Sequence, residues 1–396
     1  MTSRKKILVI TPRFPYPTIG GDRLRILEVC KEISKYHSIT LISLCETHLE
    51  LVYPDPDDGV FESIHKVYLP KWKSTLNTVL YLLSKTPLQV AYYKSKKLNK
   101  IIDEIALDHD LIIPHLIRVA DYVKDINRPK IIEMTDAISM NYTRISQTKN
   151  NAGFKGLIYR IEKTRLLNYE RNIAKSFQYS VLVSNFDKDF LFKNDHDLYS
   201  RSLVCSNGVD LTKLPYNFTA SGYKLVFIGN IHSAQNFDAA FWFARNVMPS
   251  LLNYGPYEFH VIGKIPEDSA KKLNRLKGVK VIGAVDSVAR YAEGAVAGIC
   301  SVRLAAGVQN KILEYMALGI PTITSSIGLE GLEAKKDIDI LVSDTSDDYI
   351  NQIIKLNSEP LFAKNLAENA YKYVQENHSW PSKLTPLVST INNILR

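Results

Sequence analysis

The sequence predicts an α/β protein made of two tandem doubly wound domains, each a parallel sheet with helices on both faces. Short β-branched runs alternate with stretches of helical apolar spacing along nearly the whole chain, the pattern of strand–helix–strand units. The alternation breaks at the turn-forming Asn207-Gly208-Val209-Asp210 and then restarts. The length, 396 residues, is that of two ordinary domains with ample chain for two cores. The domains are therefore expected at 1–206 and 207–376, with 377–396 as a closing helix that crosses back onto the first domain. Ligands of such sheets lie outside the carboxyl ends of the strands, so two facing domains would share an interdomain cleft.

In order, the first strand is expected at Lys6–Thr11, followed by a loop through Gly20-Gly21 and a helix near Arg23–Tyr36. Further strands fit Ile39–Leu44, Lys66–Leu69, Leu111–His115, Lys130–Met134, Ser180–Val183 and Leu203–Cys205. Phe154–Ser176 reads as a long amphipathic helix, its apolar residues at i, i+3 and i+4. After a linker at Leu211–Gly222, the second series runs Leu225–Gly229, Glu258–Gly263, Val279–Gly283, Gly298–Val302, Pro321–Thr324 and Ile338–Val342. A helix near Leu361–Gln375, a break at Asn377–Pro381 and a last helix at Lys383–Leu395 complete the chain. Both domains are thus Rossmann-like.

Composition narrows the function class. With 45% hydrophobic and 23% charged residues, 18 Gly and 17 Pro, the chain is neither collagen-like nor disordered. No run approaches the ~18 apolar residues of a transmembrane helix, and the basic start runs into one short strand without a small-residue cleavage site. A cytoplasmic protein is expected. Cys30, Cys45, Cys205 and Cys300 are too scattered for a zinc site or a disulfide framework, and no DxD pair suggests a metal site. Residues 1–205 hold 31 Lys and Arg against 23 Asp and Glu, leaving 19 against 18 for the remainder, so the excess positive charge belongs to the first half.

Gly20-Gly21, between a strand and its helix, would let backbone N–H groups approach a phosphate at a helix N-terminus, although a turn alone would also explain it. No dinucleotide fingerprint or P-loop is present. At Gly307–Glu314 a glycine loop enters a helix, Lys311 supplies a cation, and Glu314 one turn on can accept hydrogen bonds from a diol. His115 ends a strand at the expected cleft edge. Lys71-Trp72-Lys73 leads into Leu76–Leu83, and Tyr92-Tyr93-Lys94 precedes Lys96, Lys97 and Lys100. Such interleaving suits an anionic membrane surface and equally a solvated basic helix. No nucleic-acid motif accompanies it, so nucleic acid is not an expected partner.

Several segments together resemble the retaining glycosyltransferases of the GT-B fold, family four, which build bacterial polysaccharides and glycolipids. They are Pro15–Arg23, Val204–Asp210, Phe227-Ile228-Gly229-Asn230 with Asn236, Asp238 and Trp242-Phe243, and Gly307–Pro321. The Gly-x-Gln-Asn-Lys form of the last looks like a subgroup of exopolysaccharide-cluster sugar transferases.

The resemblance implies metal-independent transfer, with retention and no cofactor, from a nucleotide-diphosphate sugar to a saccharide or lipid-linked acceptor. It places the donor against Gly20, Gly21, Gly229, Asn230, Gly263, Gly307, Val308, Gln309, Asn310 and Glu314. Lys311, His115 and Arg303 are the implied catalytic residues, and Arg23, Arg25 and Asp136 the implied acceptor side. The chain departs from the family pattern at Ala306, where many relatives have a glutamate, and at Asn230–Asn236, where many have an Arg and a Lys. Phosphate neutralisation then falls on Lys311 with Arg303 in support. A nucleotide-sugar epimerase of the same fold and a non-catalytic two-lobed sugar-binding protein are the alternative readings.

Overall fold

A computed structural model of the protein describes residues 4–18, 20–147, 154–219, 221–304 and 307–396, the side chains of 147 and 154–157 excepted. The chain divides into two compact units, one of Met1–Ser206 with Leu384–Arg396 and one of Asn207–Lys383.

In the first unit the strands are β1 (Lys6–Thr11), β2 (Ser38–Cys45), β3 (Ser63–Tyr68), β4 (Leu111–Pro114), β5 (Ile131–Thr135), β6 (Tyr179–Leu182) and β7 (Ser202–Val204). They pair in the orders β3-β2-β1-β4 and β5-β6-β7, and the parallel bridges Ile112↔Lys130 and His115↔Glu133 join the two sets. Every pairing is parallel. Helices cover both faces of such a sheet, so its inner strands are apolar throughout, and Ile7 to Ile10 are fully buried.

The second unit contains β8 (Lys224–Ile228), β9 (Glu258–Ile262), β10 (Val279–Gly283), β11 (Ala297–Cys300), β12 (Thr322–Thr324) and β13 (Leu341–Val342). Their order, β10-β9-β8-β11-β12-β13, is the doubly wound arrangement, and it reverses direction between β8 and β11. A crevice opens at such a switch point because successive helices leave the sheet to opposite sides.

Most expected strands shift by one or two residues at an end, and two start three residues away from the observed position. β3 begins at Ser63, earlier than Lys66, pairing from Thr40↔Ser63 onward. The strand expected over Ile338–Val342 shrinks to Leu341–Val342. Asp337 adopts a left-handed φ of 62°, and the N–H groups of Ile338 and Asp339 turn back to the Lys335 carbonyl. The last helix begins at Trp380, since Pro381 sits in the first turn, where a helix needs no N–H. Its later turns belong to the first unit, with Asn392 Oδ1 bonded to His37 Nε2 at 2.8 Å.

Candidate functional site

In the second unit the helix Asn310–Leu318 starts at the switch point, preceded by Gly307 at φ 68° and an extended Gln309. Tyr315 fixes its position. The Tyr315 hydroxyl accepts from the Ile228 N–H at 2.8 Å and donates to the Ile299 carbonyl at 3.2 Å, tying the helix to β8 and β11. Gly298 makes room for the ring, since a Cβ there would stand 2.4 Å from Tyr315 Cγ.

Lys311 is buried in this first turn, and its Nζ donates to Asn236 Oδ1 at 3.0 Å and Gln309 Oε1 at 3.3 Å. Both acceptors are neutral, so they aim the ammonium without cancelling its charge. The Phe227 ring lies 5.4 Å from it. Glu314 follows one turn later. Burial pushes its carboxyl up to about 7, with the Lys311 charge pulling the other way. A cation beside an uncapped helix start suits a diphosphate, and a carboxylate one turn on suits a sugar diol.

Asn236 links Lys311 to the next loop, its Nδ2 donating to the Asn230 carbonyl at 3.0 Å. Asn230 itself shapes a turn, its Oδ1 accepting from the His232 N–H. Gly263, at φ 135°, allows β9 to end against this turn, because a Cβ would fall 2.0 Å from the Gly229 oxygen. Asn310 Oδ1 takes a hydrogen bond from Asn207 Nδ2 at 2.7 Å. The sheet thus gathers Gly229, Asn230, Gly263, Gln309, Asn310, Lys311 and Glu314, together with Asn236, whose positioning role the motif reading missed. Val308 is buried beside them, and Ala306 lies outside the described residues.

Arg303 pairs with a neighbouring carboxylate. Its guanidinium forms a two-pronged pair with Asp238, Nη2 to Oδ1 at 2.6 Å and Nε to Oδ2 at 3.2 Å, and lies 5.7 Å from the Trp242 ring. Asp238 thus balances its charge at the surface of the unit.

In the first unit the loop after β1 leads through Gly20, at φ 109°, into the helix Gly21–Ser34. Asp22 occupies the first turn of this helix, 3.3 Å from Arg13. Against the raising effect of burial, Arg13, Arg118 and His115 hold that carboxyl below its usual range.

Arg23 and Arg25 both pair with carboxylates inside the unit. Arg23 pairs with Glu50, whose carboxylate also accepts from the Glu46 N–H. Arg25 is only 1% exposed and donates through Nε to Glu133 Oε1 at 2.7 Å. The other Glu133 oxygen takes His115 Nδ1 at 2.5 Å, and burial alone would raise this carboxyl, but Arg25 and His115 pull it to about 2. His115 is buried, and its Nε2 has no hydrogen-bond partner among the described residues. Burial, then the neighbouring Asp187, pushes the half-buried Asp136 up to about 7, while Arg118 opposes the shift.

Arg118 is the basic group that sequence reading overlooked. With Arg13, Lys71, Tyr92 and Tyr93 it lines an open polar groove, its Nε bonded to Gln89 at 3.0 Å and its guanidinium 5.6 Å from the Tyr93 ring. Among the described residues no three His, Cys, Asp or Glu side chains converge to hold a metal ion. No helix among them is long and apolar enough to cross a membrane.

Residues 222–359, which contain the Lys311–Glu314 cluster, match the protein family described as glycosyl transferases group 1. A protein of Klebsiella pneumoniae, an uncharacterized 44.6 kDa protein in the cps region, is 20% identical over 390 residues, spanning 94% of this chain and 96% of that one. Sucrose-phosphate synthase of Thermosynechococcus elongatus superposes with a TM-score of 0.73 at 14% identity, covering 99% of each chain. Anabaena HepE, in complex with UDP and glucose, superposes with a TM-score of 0.70 at 13% identity, covering 98% of this chain and 100% of that one. The fold is that of the GT-B glycosyltransferases.

Proposed function

We propose that this protein is a retaining glycosyltransferase of bacterial polysaccharide or glycolipid synthesis, moving a sugar from a nucleoside-diphosphate donor to a saccharide, free or carried on a lipid. The observation that carries this reading is the Lys311–Glu314 pair on one helix start at the switch point, within the matched stretch. HepE, of the same fold, binds UDP and glucose, which supports a nucleotide-sugar donor. Glu314 accepts the ribose hydroxyls, and Lys311 with the helix N–H groups takes the diphosphate. Four buried free cysteines fit a reducing, cytoplasmic setting.

In the reaction, the bond between the anomeric carbon and the diphosphate oxygen breaks while the acceptor oxygen bonds that carbon on the same face. The acceptor proton passes to the departing phosphate oxygen. Negative charge grows on the diphosphate as the bond breaks, so a fixed ammonium gains more interaction there than in the ground state. Lys311 supplies this charge, and no metal or cofactor enters the proposal. Within the first unit, the groove at Arg13 and Arg118 receives the acceptor.

Incubation with a panel of nucleotide sugars, with and without saccharide and lipid-linked acceptors, tests the reading. A glycosylated acceptor and stoichiometric nucleoside diphosphate are expected. Nucleotide released without an acceptor would indicate an epimerase, and binding without turnover a sugar-binding protein.

A further inference from the structure

The helix Lys71–Leu80 buries only Ser74. Trp72, Leu76, Val79 and Leu80 stand 69%, 50%, 62% and 70% exposed, and Leu83, in the turn that follows, is 96% exposed. With 3.6 residues per turn, the four helical positions fall within an arc of roughly 100° and form one stripe. An amphipathic helix of a water-soluble surface turns such a stripe toward the core. Here the stripe faces outward, and a contiguous exposed patch of this kind marks a docking surface.

Charge identifies the occupant. From residue 63 to 102 the chain carries eight lysines and no aspartate or glutamate. Lys71 and Lys73 flank Trp72, Lys85 follows Leu83, and all three are exposed. None of them pairs with a carboxylate among the described residues. Two copies of this face would bring lysine against lysine, so self-association is disfavoured. An anionic lipid surface satisfies both features, since tryptophan and leucine settle at the boundary of headgroup and acyl chain while lysines meet phosphates.

The Tyr92–Lys100 segment is different. Tyr92 and Tyr93 pack edge-on with centroids 4.9 Å apart, Lys94 lies 4.7 Å from the Tyr81 ring, and Lys100 approaches Glu104 at 3.7 Å. Tyr92, Tyr93 and Lys94 are thus occupied within the unit, while Lys96, Lys97 and Lys100 stand exposed on a helix whose apolar residues Leu98 and Ile102 are buried.

We propose that the face formed by Trp72, Leu76, Val79, Leu80 and Leu83 inserts into the interface of a membrane containing anionic lipid, held by Lys71, Lys73 and Lys85. Such attachment requires no sugar transfer, so vesicle binding and nucleotide binding are separate readouts.

The full chain is tested by flotation with vesicles of phosphatidylcholine alone and with roughly a third phosphatidylglycerol. Binding to the anionic vesicles is expected, weakening as salt rises because screening acts over ~10 Å at 0.1 M. Tryptophan emission should shift to the blue on binding, and Trp72→Phe should abolish the shift. The triple variant Leu76→Ser, Val79→Ser, Leu83→Ser should lower vesicle binding by about tenfold or more, with melting temperature and nucleotide affinity unchanged. Wild type that ignores anionic vesicles overturns the proposal, as does a serine variant that floats like wild type. A dimer broken by the serine variant, with no vesicle binding, would assign the face to a second copy.

Discussion

His115 Nδ1 lies 2.5 Å from Glu133 Oε2, while Glu133 Oε1 takes the Nε–H of Arg25 at 2.7 Å. All three side chains are essentially without solvent. The carboxylate therefore orients the imidazole and also balances a buried guanidinium. Glu133→Gln keeps the shape and removes the charge, leaving Arg25 uncompensated, which should cost about 3–5 kcal/mol in urea unfolding. The pH dependence follows from the lowered carboxyl. Its stabilisation is present above the ordinary value of 4.5 and is lost as pH falls toward about 2, so wild type should lose in acid a component that the variant lacks. Equal urea midpoints at neutral pH would refute the structural half of this role.

The strands were readable in sequence because a strand covered on both faces becomes an unbroken apolar run, as at Ile7–Ile10. The helix start at Asn310 was readable because its chemistry is local, with Gln309, Lys311 and Glu314 within one and a half turns. The arginines were not. Arg25 meets a partner 108 residues away and Arg303 one 65 residues away, and neither pairing leaves a local trace. Arg118 was overlooked for the opposite reason, since its groove is assembled from segments far apart in sequence.

Lys311 is aimed by neutral groups, which separates charge from aim experimentally. Lys311→Ala should lower turnover by about 10²-fold or more, with a smaller change in donor KM. Asn236→Ala retains the ammonium and removes one acceptor, so it should cost only about 1 kcal/mol of transition-state stabilisation, roughly fivefold. Steady-state kinetics in which Asn236→Ala is the more damaged variant would reverse the assignment.

Tyr315 and Gly298 are expected to act as one unit. Gly298→Ala places a methyl against the ring at 2.4 Å and must displace it, costing about 1–3 kcal/mol. Tyr315→Phe leaves the buried Ile228 N–H without its acceptor, at about the same cost. Because both disturb the same anchor, the double variant should lose less than the two singles together. Additive losses in a double-mutant cycle would show that the ring and the glycine act independently.

Glu314 connects stability to ligand binding. Burial raises its carboxyl from 4.5 to about 7 against the pull of Lys311. A carboxyl raised on folding contributes stability that is fully present below pH 4.5 and is lost as pH rises through about 7. Wild type should therefore lose more melting temperature between pH 5 and pH 8 than Glu314→Gln. Asp136 and Glu170, raised to about 7 and about 8, act in the same direction but are common to both proteins, so the difference reports Glu314 alone. Diol hydroxyls donate to the ionised form, so nucleotide binding should strengthen over the range in which the free protein weakens. Glu314→Ala should weaken nucleotide binding by roughly 1.5–3 kcal/mol and flatten that pH dependence. Calorimetry across this range decides the point, since unchanged affinity in the variant would separate Glu314 from the ribose whatever its effect on stability.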